Sequence, residues 1–309
     1  MSTPEESPRR GARLSLRGGP VVPLVGVCVG VVALTAAVTL GGQDSSSSTG
    51  GPEKTPSSTS ADDRAHLPTP NTCVLRVGET DHALSVVDAR TLTQVAAVGW
   101  QVRAPTEMIA RVLDLATATP GSSPTTTQAL DLFTREDTAA PTAGSLAEIQ
   151  ALTDPGALTC VFDSPAATAE AKGKTGLTPR ADAMRQGVVD AFGKLTMSGY
   201  GGKAKTETSA EAAGRAFDVA VPATFPPQAG AGWVLAHWLA ARGADYKLDT
   251  IAYGDRVWAP NSGWQAAAPG QPLATPARAG RIYVAVTQGA AANKATKKSK
   301  KSTRKHGSR

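Results

Sequence analysis

The sequence predicts an α+β fold carried outside the membrane on a single N-terminal transmembrane helix. Three observations lead there: one uncharged apolar run near the N-terminus, apolar residues at helical spacing through the middle, and segregated helix and strand patterns after Cys160. The apolar run, Val21 to Leu40, holds 20 residues without a charge, and at about 1.5 Å per residue it crosses a hydrocarbon core of about 30 Å. It exceeds the 7–15 apolar residues of a cleaved signal peptide, which favours an uncleaved anchor. Arg9, Arg10, Arg13 and Arg17 precede it, so the positive-inside rule places the N-terminus in the cytoplasm and everything after Gly41 outside. The expected order is a cytoplasmic tail (1–19), the anchor (20–41), a disordered Ser/Pro-rich linker (42–71), a helical domain (72–160), an α+β domain (161–290) and a disordered basic tail (291–309).

Charge is distributed unevenly along the 309 residues. The chain has 32 Lys and Arg against 26 Asp and Glu and a pI near 9.3. Residues 294–309 hold eight of the cations and no acid, leaving 24 basic against 26 acidic residues elsewhere. A nucleic-acid-binding protein concentrates its cations on a folded face, and this body lacks such an excess. The tail is suited instead to anionic wall polymers or lipid head groups.

Of the three cysteines, Cys28 falls inside the apolar run, whereas Cys73 and Cys160 bracket the first domain on the oxidising side. That placement predicts a disulfide between them. In the chain-entropy model such a long loop gains at most ~4–5 kcal/mol.

Between these cysteines the spacing is helical. Thr91–Val102 carries Leu92, Val95, Val98 and Trp100. Thr106 is placed to N-cap a helix with Met108, Ile109, Val112, Leu113 and Leu115 on its apolar face, and a third helix is expected over Ser145–Leu152. The string VAAVGWQVRAPTEMIARVLDLATA, then QALDLF and Asp154-Pro155, resembles the exported actinobacterial lysozyme-like domain. Ala104-Pro105 would hold that family's turn, Leu115–Ala118 its "LATA", and Leu130–Phe133 its "LxLF". The resemblance implies a small all-α domain that cleaves glycosidic bonds with a Glu at the end of the LATA helix, since the leaving oxygen must be protonated. In this chain Thr119, Pro120, Gly121 and Ser122 stand there, and Pro120 breaks the helix that would aim an acid. Glu136 and Asp137 replace part of the family's groove strip; an exposed pair of this kind is more often a solvated turn than a displaced acid.

Past Cys160, a helix is expected over Pro179–Leu195, with Pro in its first turn. A strand over Arg215–Val221 follows, and then a helix over Ala231–Arg242 ending at Gly243. Leu248–Tyr253 and Asp255–Trp258 around Gly254 suggest a hairpin, and Arg281–Thr287 a closing strand. The run Ser209–Asp218, SAEAAGRAFD, resembles the Ser-x-His-x-x-Gly-x-Ala-x-Asp motif of zinc D-alanyl-D-alanine carboxypeptidase-like domains. The resemblance implies a zinc held by the His and Asp of this run and by a further His in an "HxH" strand, with one position open for water. Ser209, Gly214, Ala216 and Asp218 match, but Glu211 stands at the His, and Tyr283 and Ala285 stand at the "HxH". Glu211 and Asp218 could bind a hard metal weakly through oxygen; against this, a catalytic zinc needs a third protein ligand and none is evident. No cofactor is therefore expected.

Residues 232–264 resemble a C-terminal module of exported actinobacterial proteins and hold four of the five tryptophans. Trp258 and Trp264 flank turn residues, which makes them candidates for a glycan-stacking groove; the competing role for all four is core packing. His237 is expected to be a hydrogen-bonded structural residue.

Both family frames lack the groups their chemistry needs. The expectation is an exported pseudoenzyme of the cell envelope that binds cell-wall glycan or an anionic wall polymer. The alternative is a divergent wall hydrolase with a relocated acid or metal site. Chains of this layout are sometimes labelled heavy-metal transporters, but one span offers no alternating-access path. Three Cys and four scattered His also form no metal-binding cluster.

Overall fold

Two short strands open the folded part, Thr72–Val77 (β1) and Thr80–Ser85 (β2), paired as a hairpin with Val77 opposite Thr80. They belong to a computed structural model describing residues 68–118, 121–135, 139–163, 166–199, 209–222, 230–268 and 280–289. The expected anchor, the basic tail, the linker up to residue 67 and the Thr119, Pro120, Glu136 and Asp137 positions lie outside the described residues. Among the described residues no helix is long and apolar enough to cross a membrane.

Ser85 caps the next helix, α1 (Val86–Gln101), its hydroxyl accepting the Asp88 N–H at 3.1 Å. Nearly every residue from Ala89 to Trp100 is buried, so α1 is a central helix and not an amphipathic surface one. It ends in a Schellman turn: Ala104 N–H donates to Gly99 O (2.8 Å) and Arg103 N–H to Trp100 O (3.1 Å), with Arg103 at φ +58°. Pro105 then caps α2 (Thr106–Thr117), so Thr106 is the first helical residue and not the N-cap. Helix α2 buries Ile109, Ala110, Val112 and Leu113. Met108 was expected on that face but lies one residue, about 100°, off the stripe, and is exposed. Gly99 lets α1 and α2 cross closely, since a β-carbon there would lie 2.5 Å from Ile109 Cγ1.

Two further helices, α3 (Thr126–Phe133) and α4 (Ala143–Ala151), complete the helical layer. A third strand, β3 (Leu158–Val161), returns alongside β1 to give the order β2-β1-β3. The first half is thus not all-helical as expected. Strand β1 buries Cys73 and Leu75 at a period of two over only six residues, a pattern too short to stand out beside the helical spacing that follows. The pairing also brings Cys73 opposite Cys160, Cα atoms 4.0 Å apart, and the two form the expected disulfide.

The second half runs α5 (Pro179–Phe192), β4 (Met197–Ser198), a short α6 (Ser209–Ala212), β5 (Ala216–Ala220), α7 (Ala231–Ala241), β6 (Leu248–Tyr253), β7 (Arg256–Ala259), β8 (Gly263–Ala266) and β9 (Arg281–Val286). Its strands form one antiparallel sheet, β4-β5-β9-β6-β7-β8. With seven helices and two antiparallel sheets among the described residues, the class is mixed helix and sheet. All eleven residues of α7 are buried, and the helix packs against α1, β3, β6 and β9. Side chains on both sides of the boundary expected at residues 160–161 therefore share one core, from Leu92 and Leu113 to Leu239 and Val284.

Polar groups reinforce the α1–α7 contact. Gln94 Oε1 accepts from Trp238 Nε1 (3.0 Å) and Arg242 Nη2 (2.6 Å), and Arg242 lies 4.1 Å over the Trp238 ring. Burial pulls the Arg242 guanidinium down to about 9, opposed by Tyr246 and Asp245 and assisted by Arg90.

Candidate functional site

The residues of the expected zinc frame do come together. Asp218 on β5 stands in register with Tyr283 on β9, and Ala216 with Ala285. Glu211 projects from α6 toward the same neighbourhood, where a β-carbon added to Gly199 (φ +85°) would lie 2.7 Å from its Oε1 and 3.5 Å from the Asp218 nitrogen. Glu211 is 3% exposed and Asp218 8%, so Glu211 is not the exposed loop residue that its surroundings in the sequence suggest. Tyr283 and Ala285 pack with Ala216 and Ala252 into a small second core, against which Ala210 and Val257 also lie. Packing of Tyr283 and Ala285 thus fills the two closing-strand positions where the resemblance implies imidazoles, and a buried carboxylate, Glu211, stands at the third. Among the described residues no three His, Cys, Asp or Glu are grouped to hold a metal.

Trp258 and Trp264 do not form a sugar-stacking surface. Trp258 is fully buried and Trp264 8% exposed, because both serve the free edge of β3. Residues 158, 160 and 162 turn their backbone groups away from β1 and toward the second half. Trp264 Nε1 donates to Leu158 O and Trp258 Nε1 to Cys160 O, each at 3.0 Å, and Phe162 N–H reaches Pro260 O at 2.6 Å. The Leu158 N–H donates to His237 Nε2 at 3.4 Å, which leaves the imidazole proton on Nδ1, facing Leu152 O at 3.1 Å. A buried strand edge must be satisfied somewhere, and here two indoles and an imidazole satisfy it. His237 is structural, as its lone position predicted. Burial drives its pKa down to about 3, against the opposing pull of the Leu152 carbonyl.

A different site emerges in the first half. Where α1, α2 and α3 meet, a cleft of about 420 Å³ opens, lined by Val102, Arg103, Pro105, Met108, Asp131 and Phe133 among others. Two of the three exposed large apolar side chains among the described residues, Val102 and Met108, are in this lining. The turn and the LxLF segment that frame the cleft are recognisable in the sequence, but the cleft itself is not. The signal is in Met108, one step off the buried stripe, and in Arg103, a non-glycine residue just past a helix C-terminus with Pro105 two residues on.

One titratable pair lies between α2 and α4, Asp114 and Glu148. Glu148 on α4 is partly buried, and its carboxyl is pushed up chiefly by that burial, with Asp114 and Asp88 adding and His82 opposing. Burial pushes Asp114 up as well, but hydrogen bonds from the Ser145 hydroxyl (2.5 Å) and from the N–H (2.8 Å) and hydroxyl (2.9 Å) of Thr142 hold it below the usual range. Those bonds make Asp114 the anchor of the α4 N-terminus.

The fold and these sites define a disulfide-stapled protein of mixed helix and sheet in which helix α7 packs against strands of two antiparallel sheets. Residues 173–274, less than half of the chain, match the family described as VldE, C-terminal domain. The matched segment runs from before α5 to beyond β8, leaving out β9 and the whole first half. No curated protein and no solved structure matches the chain.

Proposed function

We propose that the chain is a non-catalytic, exported cell-envelope protein, held to the membrane through residues 20–41, that binds peptidoglycan or a wall-associated partner. The observation that carries this reading is the packing of Tyr283 and Ala285 against Ala216 and Ala252, at the positions where a zinc peptidase of the resembling family would keep its histidines. A water-bearing metal needs three protein ligands and an open position, whereas here the carboxylates of Glu211 and Asp218 are buried and no third His, Cys, Asp or Glu joins them among the described residues. The Cys73–Cys160 bridge agrees with an oxidising, extracytoplasmic setting. With Trp258 and Trp264 committed to β3, the cleft beside Met108 offers the better binding surface.

The test is sedimentation of the full chain with insoluble peptidoglycan, with and without residues 294–309. Retention of both forms is expected; retention only with the tail would assign the contact to its charge and not to the folded halves.

A second reading, a divergent hydrolase with a relocated acid, is favoured by Glu148, whose raised carboxyl beside a lowered Asp114 is the pattern of a general acid and its partner. Under that reading the full chain clears a cell-wall suspension and Glu148→Gln abolishes clearing; under the first reading neither protein clears it.

A further inference from the structure

We infer that the cleft between α1, α2 and α3 binds a short apolar peptide ending in a free carboxylate, with the Arg103 guanidinium as the carboxylate's partner. This deepens the wall-binding reading and rests on it, since the peptide stems of a cell wall present such ends. The lining is apolar, with Val102, Pro105, Met108 and Phe133, and its volume falls within the range of small-ligand sites. Two charges stand in it, Arg103 and Asp131, and neither has an ion-pair partner among the described residues.

Arg103 occupies the left-handed position of the Schellman turn, φ +58°, where glycine is the usual residue. The backbone there is held by the Arg103–Trp100 and Ala104–Gly99 hydrogen bonds, so an exposed guanidinium stands on a rigid base beside an apolar recess. A planar fork of N–H donors matches a carboxylate in a bidentate pair. Asp131 supplies an acceptor for the peptide's N–H groups. A sugar suits the site less well, because it needs a dense set of polar partners and an open aromatic face. Thr134 is the cleft's one hydroxyl, and Phe133, its one aromatic ring, is half-buried.

The experiment titrates the full chain with acetyl-Lys-D-Ala-D-Ala and with its C-terminal amide, read by calorimetry. The expected result is saturable binding of the acid, with the amide weaker by about tenfold or more, as for the loss of a hydrogen bond between charged groups. Arg103→Gly, which suits the left-handed backbone and so preserves the turn, should bind acid and amide alike at the weaker level. Met108→Asp, at an exposed position, should lose both. Equal binding of acid and amide, undiminished binding by Arg103→Gly, no saturable binding, or preferential binding of an N-acetylglucosamine tetramer overturns the inference. Peptidoglycan sedimentation separates the two failures. Undiminished retention of Arg103→Gly together with no peptide binding discards the cleft and keeps wall binding, whereas no retention of the unsubstituted chain overturns the wall-binding reading and the inference with it.

Discussion

Acidification below pH 6.5 should weaken this protein through His237. The imidazole is fully buried, accepts the Leu158 N–H on Nε2 and faces Leu152 O through Nδ1, and its pKa falls from the ordinary 6.5 to about 3. Protonation converts Nε2 from acceptor to donor, so the Leu158 N–H loses its partner and an uncompensated charge enters the core. The unfolded chain takes up this proton at pH 6.5 and the folded chain does not, so stability is greatest above pH 6.5 and falls as pH drops toward 3. The slope is about 1.4 kcal/mol per pH unit, which gives a loss of about 2 kcal/mol at pH 5 relative to pH 7.5. Urea midpoints of the full chain, followed by tryptophan fluorescence at pH 7.5, 6 and 5, measure it. His237→Gln places one acceptor and one donor at the same site without a titrating group. It should be less stable at pH 7.5 and lack the loss of about 2 kcal/mol between pH 7.5 and 5. Subtracting the two profiles removes the contribution of Glu148, whose raised carboxyl stabilises in the opposite direction on acidification. Equal midpoints at pH 7.5 and 5 for the unsubstituted chain, or the same slope in His237→Gln, would refute the reasoning.

Three further outcomes are expected. Replacing Cys73 and Cys160 together by Ser should cost about 4–5 kcal/mol in the chain-entropy model, given their separation of 87 residues, and is read as a drop in Tm that reductant does not increase further. Trp258→Phe keeps most of the ring packing but strands the buried Cys160 carbonyl; a loss of about 1–3 kcal/mol in urea denaturation, with peptidoglycan retention unchanged, separates its structural role from a ligand role. Gly99→Ala drives a methyl into Ile109 at the α1–α2 crossing and should cost about 1–3 kcal/mol while distorting the cleft, so peptide titration should weaken along with the midpoint.

Elements with a strong local signal were legible in the sequence. Pro179 opens α5 at its first turn, the apolar stripe of Ile109, Val112 and Leu113 makes α2, and the turn at Gly254 joins β6 to β7. The cysteine pairing was legible as well, because only two cysteines lie beyond the apolar run. The frame of Glu211, Asp218 and Tyr283 was readable as a motif, and the fold brings those positions together.

What the sequence by itself determined is the identity of the segments whose periodicity and caps act over one or two turns. Only the tertiary structure decided the roles of Trp258, Trp264 and His237, because each answers a backbone group of β3 that is 98, 106 and 79 residues away. An aromatic beside a turn looks the same in sequence whether it faces a sugar or a strand edge. The strand's need for partners arises once β3 pairs on one side with β1 and is buried on the other. The cleft is decided in the same way: Met108 and Val102 line a gap where α1, α2 and α3 meet, and Gly99 permits the close approach of α1 to Ile109 and Phe133 beside it.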